Sequence, residues 1–346
     1  MNVAIIIPAY RPTKALVELV ETLHPHVASI VIVDDGNPPI YSSMFDQLKI
    51  KPVTILHHDL NRGKGAALKT AFQYILNDCP SVTGVVTCDA DGQHAIDDIL
   101  QVIKQLKKTP TSVVLGQRTL SKNTPFKNRF GNALTRQLFY LLYGLKLEDT
   151  QTGLRGMGRA YLRDLVLLKP DRYDYEMAML IHLARKKVPI ESVPIQSIYL
   201  SDEGVSSFDP WRDSIRIYRL LFQRLGPFLT VGLSSFLLDY SLFFLFFTFV
   251  FDIQLAFLAV IIARIVSGIF NYTLNFYIVF RSKQSHKKTS SRYLSLYIIN
   301  LALTACIIQI MTYFVPTQSI IWFKIILDMG LVFMSFIVQK RWVYAP

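Results

Sequence analysis

A change of character near residue 226 constrains this chain more than any other feature. Up to about residue 205, charges, glycines and short apolar runs alternate in ordinary globular proportions; after Gly226 come long apolar stretches at 227–250, 254–280, 293–315 and 319–339. Each approaches or exceeds the roughly 20 apolar residues that span a bilayer core. A composition of 51% hydrophobic and 12% aromatic residues over 346 positions is rich for a wholly soluble protein. The pattern predicts a soluble domain over 1–207 and an all-α domain of four transmembrane helices over 227–346, joined through 208–226.

Basic flanks orient the spans. Arg281, Lys283, Lys287, Lys288 and Arg292 crowd the link after the second stretch and Lys340-Arg341 follow the last, whereas the links at 251–253 and 316–318 hold no Lys or Arg. The positive-inside rule then places both termini and the basic link in the cytoplasm of a multi-pass plasma-membrane protein, with the two short links outside. The opening "MNVAIIIPAY" begins at once on a strand-like run, without a basic leader region or cleavage site, and does not read as a signal peptide. Cys79, Cys88 and Cys306 show no paired or metal-ligand spacing, which suits a reducing compartment. A net charge of +12 suits nucleic acid in principle. Much of that excess flanks the apolar stretches, however, where anionic lipid headgroups are the nearer partner, and no nucleic acid is expected.

In the soluble part, short β-branched-rich runs at 3–7, 29–33, 53–57, 82–87 and 112–115 alternate with helical patterns such as "GKGAALKTAFQYIL". Such alternation predicts a mostly parallel α/β sheet, in which ligands bind beyond the carboxyl ends of the strands. Those ends carry polar segments: Pro8-Ala9-Tyr10, Asp34-Asp35-Gly36, Asn61-Arg62-Gly63-Lys64-Gly65 and Asp89-Ala90-Asp91. Asp89 and Asp91, with Gln93, are spaced to face one way along an extended segment and to hold a divalent cation with substrate phosphates and water. The same spacing also fits caps for the helix that "AIDDILQVIKQL" begins, and the residues alone leave both readings open. Asp35 is a candidate for contact with a nucleoside, or simply a turn former before Gly36. Lys64, among glycines at a helix start, suits a diphosphate, although the spacing is not that of a Walker motif.

The motifs "IIIPAY", "VIVDDG", "NRGKGAAL", "CDADGQH", "LGQR" and "DTQTGLRG", in this order over about residues 3–220, resemble the nucleotide-sugar domain of glycosyltransferase family 2, and within it the polyprenyl-phosphate glycosyltransferases of the dolichyl-phosphate-mannose synthase group. The membrane half, notably "FLTVGLSSFLLDYSLF" and "ARIVSGIFNYTLNFYIVF", is similar to the GtrA-like family. The resemblance implies a GT-A-type, Rossmann-like domain. It implies a magnesium or manganese ion on Asp89, Asp91 and Gln93, and a nucleotide sugar held by Pro8, Tyr10, Asp35, Lys64 and Asp89. Arg118, Arg129 and Arg155 would hold an acceptor phosphate, for which Arg is well matched. Asp149, Gln151 and Gly153 would line the donor sugar or the surroundings of the metal, so that the reacting set comprises Asp91, Asp149, Gln151 and Arg155. Many members carry an acidic residue soon after "PAY", where this chain reads Arg11-Pro12-Thr13; this tilts the donor toward UDP-glucose over GDP-mannose or UDP-N-acetylglucosamine. A lipid monophosphate is already anionic near neutral pH and needs cations rather than a general base. Direct displacement by it inverts the anomeric centre.

A lipid acceptor requires an active site at the bilayer surface. In 208–226, Trp211, Ile215, Tyr218, Phe222 and Leu225 fall on one helical face while Arg212, Arg216 and Arg219 gather on another, which predicts an interfacial amphipathic helix. Residues 129–145 are a candidate second one. Asp239 and Arg264 lie at similar depth from the link between their spans and are placed to pair; Lys324 and Asp328, at i and i+4, are placed to pair on the last span, either fixing helix registry or marking a lipid-headgroup pathway. A processive synthase is excluded, since "QKRW" at 339–342 lacks the QxxRW spacing and follows the last span. The non-catalytic alternative is a lipid-sugar flippase or membrane anchor with a degenerate transferase domain. The sequence leaves homo-oligomerisation open.

Overall fold

The run VAIIIPA forms β1 (Val3–Ala9), buried along nearly its whole length, as a parallel strand covered on both faces must be. In the computed structural model, which describes residues 1–49, 52–118, 126–196, 210–249, 256–311 and 317–345, it is followed by β2 (Ser29–Asp34), β3 (Val53–His57), β4 (Gly84–Thr87), β5 (Val113–Arg118), β6 (Arg155–Gly158) and β7 (Ile190–Ile195). They make one sheet in the order β3-β2-β1-β4-β6-β5-β7. The first four strands run parallel, with Ala9 opposite Asp34 and Ile6 opposite Thr87, so their carboxyl ends lie along one edge. The five strands expected from the sequence stand at their places. β6, antiparallel to both β4 and β5, and β7 were not foreseen: "RGMG" has two glycines and no β-branched residue, and its pairing alone makes it a strand.

On one face Ile5, Ile7, Ile30, Ile32 and Val86 pack with Leu16, Val20 and Leu23 of α1 (Ala15–Leu23) and Ile99, Val102 and Leu106 of α4 (Ile96–Lys108). Each such side chain contributes about 1.5–3 kcal/mol by burial. On the other face α3 (Lys64–Asp78) lies against β1 and β2, where Ala67 and Ala71 permit close approach. The N-cap of α4 is Ala95, without a side-chain cap, and its first turn carries Asp97 and Asp98. Asp89 and Asp91 therefore do not cap this helix, and that alternative falls. A short α2 (Ser42–Gln47), α5 (Phe126–Tyr143), α6 (Arg159–Val166), α7 (Asp174–Arg185) and α8 (Pro210–Leu221) complete a first unit, Met1–Leu221.

α8 belongs to that unit and packs on α7 and α5, burying Asp213, Ile217 and Leu221. Trp211 and Ile215 are 81% and 62% exposed, and Arg212, Arg216 and Arg219 are exposed beside them. The helix thus has a third, buried face. It also ends at Leu221, so the predicted stripe does not continue through Phe222 and Leu225 on one helix, and the two compact units divide at 221/222.

The second unit, Phe222–Pro346, contains α9 (Leu225–Phe249), α10 (Ala256–Leu274), α11 (His286–Met311) and α12 (Thr317–Val338); α10 and α12 each end in a π-turn, Asn275–Val279 and Gln339–Val343. Among the described residues, Leu225–Phe246 and Ile261–Val279 are long and apolar enough to cross a membrane. Arg264 Nη1 lies 3.6 Å from Asp239 Oδ2, and the Ser267 hydroxyl donates to Asp239 Oδ1 at 3.0 Å, so the expected pair forms. The Lys324–Asp328 pairing lies outside the described side chains. The basic link is shorter than the sequence suggests, because His286 already opens α11 and Lys287, Lys288 and Arg292 sit in its first turns.

Candidate active site

The polar segments after β1, β2 and β4 meet at the carboxyl edge of the sheet. Asn37 ties the first two together. Its amide nitrogen donates to Ala9 O at 2.8 Å and to Asp34 Oδ1 at 2.6 Å, and its Oδ1 accepts the Arg11 backbone N–H. Arg11 adopts the left-handed region, φ +51°, with its guanidinium 5.3 Å from the Tyr10 ring centre. Pro8 and Tyr10 are half-buried at this corner.

Asp35 is 2% exposed, and both its oxygens are occupied. Oδ1 accepts His58 Nδ1 at 2.7 Å and the Arg62 N–H at 3.0 Å; Oδ2 accepts the Gly63 N–H at 2.8 Å and Asn61 Nδ2 at 3.0 Å. A carboxylate accepts about four hydrogen bonds, so Asp35 has nothing left for a nucleoside. It is the anchor of the loop before α3, a task that neither the nucleoside reading nor the turn-former reading foresaw. Gly63, φ +100°, must be glycine there: a Cβ would lie 2.6 Å from Asp171 O.

That anchored loop delivers Lys64 at the start of α3. Its ammonium lies 2.6 Å from Asp89 Oδ1 and 3.0 Å from Glu176 Oε1. Burial opposes its charge, but Asp89 and Glu176 outweigh burial and raise its pKa above the ordinary lysine value. The converse holds for Asp89. Burial opposes its ionisation, but Lys64 and then His94 prevail and hold the carboxyl well below the usual range. Partial desolvation and then the charge of Asp89 push Asp91 the other way, upward. Asp91 and Gln93 are exposed, and Asp91 Oδ1 accepts the Gln93 backbone N–H at 3.0 Å.

The loop after α5 closes on the same carboxylate. A Cβ on Gly153 would lie 2.5 Å from Asp89 Oδ2, and the Thr87 hydroxyl fixes Gly153 O at 2.8 Å. Asp149, its side chain 0% exposed, receives Arg118 through Nε at 2.6 Å and Nη2 at 3.2 Å, and its Oδ1 accepts the Gln151 N–H at 2.9 Å. Gln151 itself is exposed. Arg155 is enclosed: it is 1% exposed and donates from Nε to Thr152 O at 2.9 Å and from Nη1 to Glu176 O at 2.7 Å. It pins this loop to α7, and its Nη2 is buried without a hydrogen-bond partner among the described residues; the expected acceptor contact would need this enclosed site to open. Arg129 lies in α5, and its side chain is outside those described.

The structure thus joins Asp89, Lys64 and Gly153, and Arg118 with Asp149. Sequence reasoning missed Glu176 and His58. Glu176 follows "YDY" in the first turn of α7, where an acid ordinarily serves the helix dipole; nothing local announces its partner.

Residues 4–166 match the model of glycosyl transferase family 2, and residues 227–344 match the GtrA/DPMS transmembrane domain. The chain is 30% identical over 245 residues to the UDP-N-acetylglucosamine–dolichyl-phosphate N-acetylglucosaminyltransferase of Methanococcus voltae, covering 65% of this chain and 97% of that one. It is 27% identical over 224 residues to the dolichyl-phosphate beta-glucosyltransferase of Saccharomyces cerevisiae, 56% of this chain and 65% of that one. The crystal structure of glucosyl-3-phosphoglycerate synthase from Mycobacterium tuberculosis superposes with a TM-score of 0.51 at 15% identity, covering 65% of this chain and 80% of that one, and shares the GT-A-type fold. By its sheet, its ordered motifs and these relatives, the chain belongs to glycosyl transferase family 2, with a GtrA/DPMS transmembrane domain as its C-terminal unit.

Proposed function

We propose that the N-terminal unit transfers one hexose from a UDP-sugar, glucose in the first place, to a polyprenyl phosphate, undecaprenyl or dolichyl, at the cytoplasmic face of the membrane. The product is a lipid-linked sugar for envelope glycosylation, formed with inversion. The observation that carries this reading is the carboxylate pair beyond β4, one member of which, Asp89, meets a lysine at a helix N-terminus. Asp89 is neutralised by Lys64, whereas Asp91 forms no ion pair among the described residues and feels the charge of Asp89. Two carboxylates with one uncompensated fit a divalent cation, magnesium or manganese, that completes its shell with substrate phosphates and water. When bound, the cation would neutralise charge developing on the diphosphate leaving group.

The chain's own residues do the rest. Lys64 and the first amides of α3 receive the diphosphate. Asp149 holds the Arg118 guanidinium edge-on, and the exposed 31% of that side chain is turned to the acceptor phosphate. Asp35 and Arg155 keep the two loops in place without touching substrate. The relatives named above act on dolichyl phosphate, and the membrane unit keeps the chain where such an acceptor lies. UDP-N-acetylglucosamine is the second donor reading, favoured by the Methanococcus voltae relative. Incubating the purified chain with UDP-glucose, UDP-N-acetylglucosamine and GDP-mannose, each with undecaprenyl phosphate and magnesium, and weighing the lipid product tests all three. Hexosyl-phosphoryl lipid from UDP-glucose is expected. No lipid product from any donor would sink the proposal.

A further inference from the structure

We infer that Lys64 is an internal counter-ion competing with the divalent cation for Asp89, and that Glu176 is the positioning residue that decides where this ammonium rests; the inference rests on the cation site proposed above. Lys64, Asp89 and Glu176 form a sheltered triad, their side chains 14%, 28% and 11% exposed, with the ammonium 2.6 Å from one carboxylate and 3.0 Å from the other. Asp89 has little freedom to turn away. Gly153 closes on its Oδ2, and His94 Nε2 stands 3.5 Å from the same oxygen. Asp89 would therefore hold a cation beside the ammonium of Lys64, either through the oxygen that Lys64 now occupies or by sharing one carboxylate between two positive charges.

Glu176 resolves that conflict. It is 8% exposed, fixed on α7, and its backbone carbonyl is held by Arg155 Nη1 at 2.7 Å. A sheltered ammonium without a partner is costly, but one that slides from Asp89 toward Glu176 keeps a partner throughout. It also stays at the N-terminus of α3, on the side where the diphosphate is proposed to lie. In the cation-free protein Lys64 occupies the cation's place; in the loaded one it is released to the substrate while Glu176 retains it. Nothing in the motifs around Asp89 requires a carboxylate on α7, and the pairing with Lys64 is what gives it this task.

Mn2+ binding to the full chain in detergent, read from the paramagnetic resonance of the free ion without nucleotide, tests the inference. Glu176→Gln leaves Lys64 with Asp89 alone and is expected to weaken Mn2+ binding roughly fivefold to tenfold, while Lys64→Gln tightens it by a similar factor. Simple field effects have the same signs, so the double variant decides: under competition, Lys64→Gln/Glu176→Gln binds Mn2+ like Lys64→Gln, within about twofold. Glu176→Asp keeps the charge but withdraws it by one methylene, and is expected to weaken binding as well. An equal loss from Glu176→Gln with and without Lys64, or wild-type binding by Glu176→Asp, would overturn the competition and leave Glu176 a mere source of negative field. Should the Lys64 variants not fold, the two Glu176 variants still decide. If neither wild type nor Lys64→Gln binds Mn2+, even with UDP present, the cation site itself is wrong.

Discussion

Asp35 and Asp91 both follow a parallel strand, yet their surroundings give them opposite work. Asp35 accepts four hydrogen bonds from His58 and the Asn61–Gly63 loop. Asp35→Asn turns one acceptor oxygen into a donor facing N–H groups, and should cost on the order of 3 kcal/mol, a fall of about 6–12 °C in thermal midpoint for a unit of this size. A normal midpoint with lost nucleotide affinity would restore the nucleoside role. Asp91, exposed and bonded to its own turn, should behave in reverse. Asp91→Ala is expected to abolish transfer and metal-dependent UDP binding, while the midpoint moves by no more than about 2 °C, as for an ordinary surface substitution. Near-normal turnover in magnesium would place the cation elsewhere. The sequence made Asp89 and Asp91 legible because position after a buried strand is itself a functional signal. It could not rank Asp35 among them, because the donors that saturate it come from a separate loop, and it could not find Glu176, whose meaning depends on where Lys64 reaches.

At the scale of elements, short runs rich in β-branched residues announced β1 to β5, while β6 stayed hidden because its stability is borrowed from β4 and β5 on either side. α8 was legible on two of its three faces. Trp211, Ile215 and Tyr218 adjoin Arg212, Arg219 and Arg216 round the helix, as the 100° rule requires, but Asp213, Ile217 and Leu221 seat it on the first unit. The distinction matters for any test of lipid contact. Arg216 Nη1 lies 3.0 Å from Asp213, whose side chain is only 5% exposed, so neutralising Arg216 would disturb the packed face as well. Arg219→Gln, at an exposed position, isolates the proposed interfacial role. It should weaken binding to vesicles containing anionic lipid by about 1 kcal/mol, raise the polyprenyl phosphate concentration needed in bilayers, and leave UDP affinity unchanged. Equal losses of UDP affinity and activity would make α8 purely structural.

For the whole molecule, the division into two units was legible because apolar length and charge distribution are properties of long segments, which local packing cannot disguise. The Asp239–Arg264 pair was foreseen from depth alone, since two charges on successive apolar helices gain by meeting at one level. The basic segment after the second helix was less well read: its charges are shared between Arg281 and Lys283 in the loop and the first turns of α11, where Arg292 donates to Trp342 O at 2.7 Å. Placing this segment and both termini in the cytoplasm remains a proposal, and it fixes where the active site must work. It also dictates how the test is built. His286 stacks on Phe276 with ring centres 4.1 Å apart and its imidazole contacts the hydroxyls of Tyr272 and Tyr277, so a probe there would perturb the fold; the exposed Ser285 would not. In a chain freed of Cys79, Cys88 and Cys306, Ser285→Cys in intact cells should resist a membrane-impermeant maleimide until the membrane is permeabilised, whereas Thr317→Cys should react at once. Immediate labelling at 285 with protection at 317 would invert the topology, and the transfer reaction would then have to draw on a nucleotide sugar outside the cell.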